Sequence, residues 1–239
     1  MRRALVTGGS GGIGAAICRR LAASGHHVVV HGNRGRDKAD AVVGEILATG
    51  GSAESIAFDV TDRAGTAVAL ERLLESGAIQ VLVNNAGIHA DVVFPGMSGE
   101  QWDSVIAVSL NGFFNVTQPL TLPMIRTRWG RIITISSVAG ITGNRGQVNY
   151  SAAKGALHAA SKALALELAS RGITVNAVAP GIIASAMSEG SFDAEAIKNL
   201  VPMKRAGKPE EVANLVAFLA SDQAAYISGQ VISINGGMI

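Results

Sequence analysis

Short apolar runs recur along the chain, and most are followed by a stretch of residues that favour α-helix. The runs are rich in β-branched residues and too short for helices, so they predict strands at residues 4–6, 27–31, 52–58, 79–83, 131–135, 173–178 and 231–234. Helices are predicted at residues 15–23, 38–48, 61–76, 99–126, 149–169 and 210–220. The repeated strand–helix units predict an α/β fold: a doubly wound parallel sheet of about seven strands with helices on both faces.

The chain is predicted to form one domain, residues 1–239. No linker, charge run or internal repeat divides it, and its length suits one large α/β domain. Residues 182–207 break the strand–helix alternation, because they are irregular and contain Gly, Ser, Met and Pro. We expect this segment to be a substrate lid.

The composition excludes several classes of function. Apolar residues make up 48% and charged residues 16%, which indicates extensive burial between layers or between subunits. The net charge of +2 is too balanced for a general nucleic-acid binder. Cys18 is the only cysteine, which excludes an internal disulfide and a cysteine-rich metal site. No leader precedes the first strand and no apolar run approaches the roughly 20 residues that span a bilayer, so we expect a soluble, cytoplasmic protein.

A glycine-rich turn, TGGSGGIG at residues 7–14, joins the first strand to the first helix. In this context glycines let the backbone approach a pyrophosphate, whose charge meets the free N–H groups of the helix start. The turn contains a Gly-x-Gly-x-x-Gly spacing from Gly9 and a Gly-x-x-x-Gly-x-Gly spacing from Gly8, so spacing alone leaves the subclass open. A purely structural turn is the alternative. We favour dinucleotide binding in a Rossmann-like domain.

The end of the second strand bears on the choice between NAD and NADP. In NAD-selective folds an acidic residue near this point bonds the adenosine ribose. Here Asn33 and Arg34 follow the strand, and no acidic residue comes before Asp37. A neutral or cationic strand end suits the extra phosphate of NADP(H), with Arg34 as the first candidate and Arg36 as the reserve. Solvated loop arginines are the alternative.

Polar residues follow two further strands. Asp59 and Val60 end the third strand, where the carboxylate could accept from the adenine amino group or cap a turn. The sequence Asn84-Asn85-Ala86-Gly87 ends the fourth strand, at the edge where open α/β sheets bind their ligands. Asparagines at such positions can simply pin neighbouring loops, and we expect them to do so beside a cofactor.

The strand at residues 131–135 and the helix after it carry the candidate chemistry. Ser137 follows the strand, and Tyr150 and Lys154 stand four residues apart near the helix start, so both project from one face. We expect the three side chains to meet as a proton-transfer site. A tyrosine and a lysine on a solvated helix face are the alternative. Asn111 interrupts the apolar pattern of the preceding helix, and it is either tolerated there or faces the site.

Taken together, these motifs resemble the short-chain dehydrogenase/reductase family over essentially the whole chain. The resemblance settles the glycine subclass as Gly8, Gly12 and Gly14. It implies a catalytic set of Asn111, Ser137, Tyr150 and Lys154. It implies cofactor contacts at Thr7, Gly8, Ser10, Gly12, Ile13, Gly14, Asn33, Arg34, Asp59, Val60, Asn85, Ala86, Gly87, Tyr150, Lys154, Pro180, Gly181, Ile183 and Ser185.

Within this family the chain is most similar to bacterial 3-oxoacyl-acyl-carrier-protein reductases. The similarity lies in GRIITI from residue 130, GNRGQVNY from 143, ASRGITVN from 169 and ASDQAAYISG from 220. It implies that Arg128 and Arg171, beside the cleft, receive the acidic carrier protein, and that the protein is a homotetramer. Gly11 and residues 182–187 differ from the usual pattern of those enzymes, and a specialised paralogue serving polyene or polyketide synthesis is a variant of the same interpretation.

The resemblance also implies a mechanism. Tyr150 is the general acid for ketone reduction, and the ammonium of Lys154 is expected to lower the pKa of the phenol. Lys154 also bonds the nicotinamide ribose, Ser137 donates to the carbonyl oxygen, and Asn111 holds a water that connects Lys154 to solvent. Two other functions stay open: a family member acting on a free ketone, sugar or other alcohol, and a dinucleotide-sensing protein without turnover.

Overall fold

The computed structural model describes residues 1–33, 36–184 and 194–239. Arg34 and Ser185, two of the predicted cofactor contacts, and the central part of the predicted lid lie outside these ranges. In the described ranges seven parallel strands form one sheet in the order β3-β2-β1-β4-β5-β6-β7. They are β1 Arg3–Val6, β2 His27–Gly32, β3 Ser52–Ala57, β4 Val81–Asn84, β5 Gly130–Ile135, β6 Ile173–Pro180 and β7 Val231–Ile234. The predicted fold class is therefore confirmed.

Helices cover both faces of the sheet. They are α1 Gly12–Ala23, α2 Asp37–Ala48, α3 Arg63–Glu75, α4 Gly99–Ile106, α5 Gly112–Thr127, α6 Ala139–Thr142, α7 Val148–Leu168, α8 Ala194–Leu200 and α9 Pro209–Ala220. Short 3₁₀ turns lie at Phe94–Gly96, Ala169–Arg171 and Asp222–Ala224. Helix α8 falls inside residues 182–207, so the prediction that this segment is irregular is wrong for Ala194–Leu200.

Side chains that alternate along each strand build two cores. Ala4 and Val6 of β1 belong to the core under α1, α2 and α9, whereas Leu5 between them belongs to the core under α3, α5 and α7. Strands β1, β4, β5 and β6 are buried on nearly every residue, as expected of a parallel sheet covered on both faces. Continuous apolar runs predict these four strands because helices exclude water from both faces of this part of the sheet.

The order of the strands determines where the ligand site lies. β1 pairs with β2 on one side and β4 on the other, so the chain winds outward in opposite directions from these two central strands. Connections that diverge at this point leave a crevice at the carboxyl ends of β1 and β4. The glycine turn follows β1 and Asn85 follows β4, so both lie at the crevice.

Candidate active site

The glycine turn is held against the end of β4 by Thr7 and Asn85. The Thr7 hydroxyl accepts hydrogen bonds from the backbone N–H groups of Asn85 (2.9 Å) and Ala86 (3.0 Å). The Asn85 amide donates to the carbonyls of Thr7 (2.9 Å) and Gly8 (3.1 Å). Asn85 therefore holds the glycine turn against the end of β4, which is the pinning role expected from the sequence.

Two glycines of the turn have no substitute. Gly8 has a φ of +61°, a conformation that residues with a side chain rarely adopt. A Cβ on Gly14 would overlap the Gly8 carbonyl and lie 2.7 Å from the Asn85 amide nitrogen. The close approach of helix α1 to the turn therefore requires glycine at position 14.

The start of α1 has the chemistry of an anion site. The first turn consists of Gly12, Ile13 and Gly14 and holds no acidic residue, and no side chain caps the helix. Uncapped N–H groups and the positive end of the helix dipole favour a phosphate at this position. The turn therefore fits the pyrophosphate of a dinucleotide.

His31 is a part of this site that sequence reasoning missed. It is buried at the end of β2, where Nδ1 accepts from the Gly8 N–H (3.0 Å) and Nε2 lies 2.8 Å from the Phe58 carbonyl. An accepting Nδ1 makes Nε2 the protonated nitrogen, so one neutral tautomer satisfies both contacts. Burial lowers the pKa of His31 to about 4, more than its bond to Phe58 and the charge of Asp59 raise it. The neutral ring ties the glycine turn to β3.

This geometry predicts an acid-sensitive contribution to stability. Unfolded His31 takes up a proton below its ordinary pKa of about 6.5, whereas the folded ring resists protonation until pH 4, so stability falls as the pH drops between these values. The substitution His31→Gln keeps one hydrogen-bond acceptor and one donor, but the glutamine side chain does not ionise. Urea melts at pH 7 and pH 4.5 give the loss of unfolding free energy over this range for each protein. We expect the loss to be about 2 kcal/mol smaller for His31→Gln than for wild type. Equal losses for both proteins would contradict the assignment.

The remaining predicted cofactor contacts line the same edge of the sheet. The Asp59 carboxylate accepts from the N–H (2.9 Å) and hydroxyl (2.7 Å) of Thr61, so it caps a turn beside buried Val60. Asn33 is exposed after β2. At the other end of the sheet Pro180 closes β6, Gly181 packs against Asn235, and Ile183 is buried. All these residues lie at or just after the carboxyl ends of strands.

The structure brings Ser137, Tyr150 and Lys154 together. Ser137 follows β5, and its hydroxyl lies close enough to the Tyr150 phenol to lower the pKa of that phenol. The Lys154 Nζ donates to the Ile135 carbonyl (2.9 Å) and lies 5.5 Å from the centroid of the Tyr150 ring. Strand end and helix start thus present a hydroxyl, a phenol and an ammonium to one place, as the sequence predicted.

Asn149 holds the start of α7 in position. Its amide donates to the carbonyls of Ala90 (3.1 Å) and Gln101 (3.0 Å), and its oxygen accepts from the Tyr150 N–H (2.8 Å). The side chain is fully buried. Asn149 therefore fixes the backbone that carries the tyrosine, a role for which the sequence offers no signal beyond a polar residue before Tyr150.

The electrostatics of the site differ from the sequence prediction. Burial raises the pKa of Tyr150, the Ser137 hydrogen bond lowers it and the charge of Asp91 raises it further. Burial also lowers the pKa of Lys154 to about 8. The prediction that the phenol pKa is lowered is therefore wrong, because burial of the phenol dominates and the Lys154 Nζ donates to the Ile135 carbonyl. Near neutral pH Tyr150 is fully protonated, which suits a proton donor.

The structure also contradicts the placement of Asn111 in the site. Residues 107–111 form a π-helical turn, in which Ser109 is buried and Asn111 is exposed. A side chain built on Gly87 would lie 3.8 Å from the Ser109 hydroxyl and 3.3 Å from the Lys154 Nζ, so Ser109 faces the site. Residues two apart on a helix do not share a face. Asn111 therefore points away from Lys154.

Arg128 and Arg171 lie together but far from Tyr150. Each is exposed just before a neighbouring strand, β5 or β6, and the Gly130 N–H donates to the Gly172 carbonyl (3.3 Å) between them. These strand starts form the amino edge of the sheet, whereas Ser137 follows the carboxyl end of β5. The six residues of β5 span roughly 20 Å. The expectation that these arginines lie beside the cleft of their own chain is wrong.

Comparison with known proteins agrees with this geometry. The family described as short chain dehydrogenase matches residues 2–196. The chain is 46% identical over 236 residues to the 3-oxoacyl-acyl-carrier-protein reductase FabG of Aggregatibacter actinomycetemcomitans, with 98% of each chain covered. It is 48% identical over 238 residues to the 3-oxoacyl-acyl-carrier-protein reductase of Synechocystis sp., with 99% of this chain and 96% of that one covered. It is also 46% identical over 241 residues to nodulation protein G of Rhizobium sp., with the same coverage.

The chain belongs to the short chain dehydrogenase family. It is an oxidoreductase that acts on a ketone or alcohol group, and it uses a nicotinamide dinucleotide. Among the described residues, no helix is both long and apolar enough to cross a bilayer.

Proposed function

We propose that the protein reduces the 3-oxo group of an acyl chain carried on acyl carrier protein, with NADPH as the reductant. The observation that carries this proposal is the Ser137–Tyr150–Lys154 cluster beside the glycine turn, in a chain 46–48% identical to reductases named for that substrate. A dinucleotide sensor without turnover would need none of these three groups. Their joint presence favours an enzyme.

The protein groups divide the reaction between them. When bound, the nicotinamide supplies the hydride. Ser137 donates a hydrogen bond to the substrate carbonyl oxygen, where negative charge develops. Tyr150 transfers its phenolic proton to that oxygen. Lys154 holds the nicotinamide ribose and returns a proton to Tyr150, which its fully buried ammonium with a pKa near 8 can do at neutral pH.

The choice of NADPH over NADH rests on the residues after β2. The first acidic residue there is Asp37, and Arg34 precedes it. A guanidinium binds the adenosine phosphate with charge and a planar pair of donors. Arg34→Ala should therefore raise the KM for NADPH roughly 10-fold and leave the KM for NADH nearly unchanged, as measured in parallel saturation curves. Lys38→Ala on α2 is a control for loss of a nearby positive charge, and an equal change with both cofactors would rule out phosphate recognition by Arg34.

Hydrogen bonds between the two ends of residues 182–207 support the proposal that this segment is a lid. The Ala184 N–H donates to the Gly207 carbonyl (2.9 Å), and the Gly207 N–H donates to the Ile182 carbonyl (2.9 Å). The two ends of the segment are thus joined at the carboxyl end of β6, next to the catalytic edge. We propose that this segment covers the acyl chain.

A carrier protein bound at Arg128 and Arg171 would serve the cleft of another subunit, since these residues lie at the far edge of their own sheet. A homotetramer would meet this requirement. Apolar side chains on the outer faces of α5 and α7 are available for contacts between subunits: Phe114 and Leu122 are about half exposed, and Leu166 is 84% exposed. We propose that these helices form subunit interfaces.

The carrier-protein proposal predicts a difference between two substrates. Wild type should reduce a 3-oxoacyl-acyl-carrier-protein with a lower KM than a small free 3-oxoacyl thioester. Charge reversal in the double variant Arg128→Glu, Arg171→Glu should raise the KM for the carrier-bound substrate at least 10-fold, because carrier proteins are acidic, and leave that for the free thioester unchanged. Arg72→Glu on the exposed face of α3 is the matched control. Equal kinetics for both substrates in wild type would favour a free ketone as the substrate.

A specialised pathway is the second candidate for the same chemistry. Nodulation protein G is as similar to this chain as one of the two reductases. The identity values therefore do not separate general fatty-acid synthesis from a specialised pathway such as polyene or polyketide synthesis. Turnover measured across a panel of 3-oxoacyl chain lengths distinguishes them, since a dedicated enzyme should prefer one length.

A further inference from the structure

His158 lies near the catalytic cluster, and the proposed reaction does not use it. It stands one turn after Lys154 on α7, and its Nε2 lies 2.6 Å from the Ser136 hydroxyl. That hydroxyl donates its only hydrogen to the Lys154 carbonyl (3.1 Å), so it accepts from the imidazole. Nε2 therefore carries the proton of the neutral ring, and His158 is a hydrogen-bond donor to the residue that follows β5.

Ser136 joins the end of β5 both to β6 and to helix α7. Its backbone N–H donates to the Val178 carbonyl of β6 (2.7 Å), and its buried hydroxyl makes the two contacts with α7 described above. The Lys154 Nζ holds the preceding residue as well, through the Ile135 carbonyl (2.9 Å). Because Ser136 comes directly before Ser137, these contacts determine where the chain presents the Ser137 hydroxyl.

The segment after Ser137 packs closely against the same turn of α7. A Cβ on Gly140 would lie 2.7 Å from the Lys154 carbonyl carbon, so the two backbones are in contact. The Ala139 N–H donates to the Ser137 hydroxyl (3.2 Å), which leaves the hydrogen of that hydroxyl available for a substrate oxygen. A displacement of this segment from α7 would therefore move the Ser137 hydroxyl relative to Tyr150, and misplacement by about 1 Å can cost up to 100-fold in rate.

The charge state of His158 suits its position between two lysines. Lys154 and Lys162 stand four residues before and after it on α7. Burial lowers the pKa of His158, and the charges of Lys162 and Lys154 lower it further, so the ring is neutral near pH 7. The imidazole thus supplies a hydrogen-bond donor at a position where a third permanent cation would be repelled.

We propose that His158 is a positioning residue for the reductase: by holding Ser136 against α7, it sets the geometry with which Ser137 and Tyr150 reach one substrate oxygen. The proposal rests on the reductase function, in which both groups act on the carbonyl oxygen. His158 acts through Ser136 and transfers no proton. Since the Ser137 hydrogen bond strengthens as negative charge develops on that oxygen, loss of the correct position should lower kcat more than it changes KM.

The kinetic test compares two replacements of His158. His158→Leu removes the donor and should lower kcat roughly 10-fold, because a misplaced donor to the developing oxyanion costs rate. The affinity for NADPH, measured by fluorescence, should not change. His158→Gln keeps an N–H donor near the position of Nε2 and should restore most of the wild-type kcat. Wild-type kcat in His158→Leu, or equal losses in the leucine and glutamine variants, would overturn the proposal.

Ser161→Ala is the matched control for the loss of a polar contact between α7 and β5. The Ser161 hydroxyl is buried and lies 3.4 Å from that of Thr134, on the same helix and strand as the His158 contact. This pair does not involve the residue before Ser137, so Ser161→Ala should keep the wild-type kcat. A loss of kcat equal to that in His158→Leu would show that any weakened contact between α7 and β5 has the same effect, and the proposal would fail.

A double-mutant cycle separates positioning from a general effect on the fold. If His158 acts through Ser137, His158→Leu should change kcat less than about twofold in a Ser137→Ala background. An equal loss in both backgrounds would refute the role. Ser136→Ala breaks the same link from the other side and should reproduce the loss of kcat, which keeps the test available if His158→Leu does not fold. A wild-type kcat in Ser136→Ala would also refute the role.

Crystal structures of wild type and Ser136→Ala provide a test that does not depend on turnover. The distance between the Ser137 Oγ and the Tyr150 phenolic oxygen should be longer or more variable in the variant, and an unchanged distance would contradict the proposal. The reductase function fails separately, if wild type turns over another ketone but no 3-oxoacyl thioester; the kinetic comparisons then use that ketone.

Discussion

Replacing Tyr150 by phenylalanine should lower kcat for ketone reduction by about 10³-fold or more and leave the binding of NADPH intact. The change removes one oxygen atom, and general acid catalysis typically contributes 10²- to 10⁴-fold. Burial raises the pKa of Tyr150, so the phenol carries its proton at neutral pH and can donate it to the substrate oxygen. Stopped-flow measurement of NADPH oxidation gives the rate, and fluorescence titration gives the affinity.

The second tyrosine of the chain provides the control. Tyr226 is fully exposed, away from the cleft, and Tyr226→Phe removes the same atom from the surface. It should retain wild-type turnover. If Tyr150→Phe kept more than about a tenth of the wild-type kcat, the phenol would not be the proton donor.

Replacing Lys154 by methionine should abolish turnover and make the protein more stable. Burial lowers the pKa of Lys154 from 10.5 to about 8, so at pH 7 the folded state holds an ammonium that it disfavours relative to the unfolded chain. A shift of this size corresponds to about 3 kcal/mol. Methionine removes this cost but loses the bond to the Ile135 carbonyl. We therefore expect a gain of roughly 1–2 kcal/mol in the free energy of unfolding at pH 7.

The stability that Lys154→Met gains over wild type should shrink as the pH rises. The unfolded lysine ionises near 10.5 and the folded one near 8, so wild type gains stability as the pH rises between these values, whereas Lys154→Met does not. In urea melts, the difference in unfolding free energy between Lys154→Met and wild type should be smaller at pH 9.5 than at pH 7. Lys162→Met, on an exposed part of the same helix, controls for the loss of a lysine. If Lys154→Met were less stable than wild type at pH 7, burial of the Lys154 ammonium would not destabilise the folded state.

The fold could be predicted from the sequence because its central strands are buried on both faces of the sheet. Runs such as residues 131–135 contain few polar residues and many β-branched ones, a pattern that helices on solvated surfaces do not show. The positions of Ser137, Tyr150 and Lys154 followed from the same reasoning, since a strand end and a helix start at one edge of a parallel sheet must lie close together.

The finer features of the site depend on tertiary contacts and backbone geometry that cannot be predicted from the sequence. Periodicity assumes 3.6 residues per turn, so it cannot reveal the π-helical turn that brings Ser109 to the cleft and turns Asn111 away. The pKa of Tyr150 is raised mainly by burial of its side chain, and the extent of that burial is set by the tertiary packing. His31 gains its role from the Phe58 carbonyl, 27 residues away.

One error was avoidable from the sequence. Arg128 and Arg171 each stand immediately before a predicted strand, and all strands of a parallel sheet start at the same edge. The ligand cleft lies at the opposite edge. The topology alone therefore separates these arginines from the Tyr150 of their own chain, and it makes the assembly of subunits part of the functional hypothesis.

Mass spectrometry of the carrier-bound product after reaction with NADPH labelled with deuterium at C4 tests the proposed reaction on its proposed substrate. If Ser137, Tyr150 and Lys154 form the site of ketone reduction, wild type should convert a 3-oxoacyl-acyl-carrier-protein to the 3-hydroxyacyl form with one deuterium on C3, and Tyr150→Phe should not. An unchanged 3-oxoacyl chain after incubation with active, cofactor-binding wild-type protein would show that the substrate is a different ketone or alcohol.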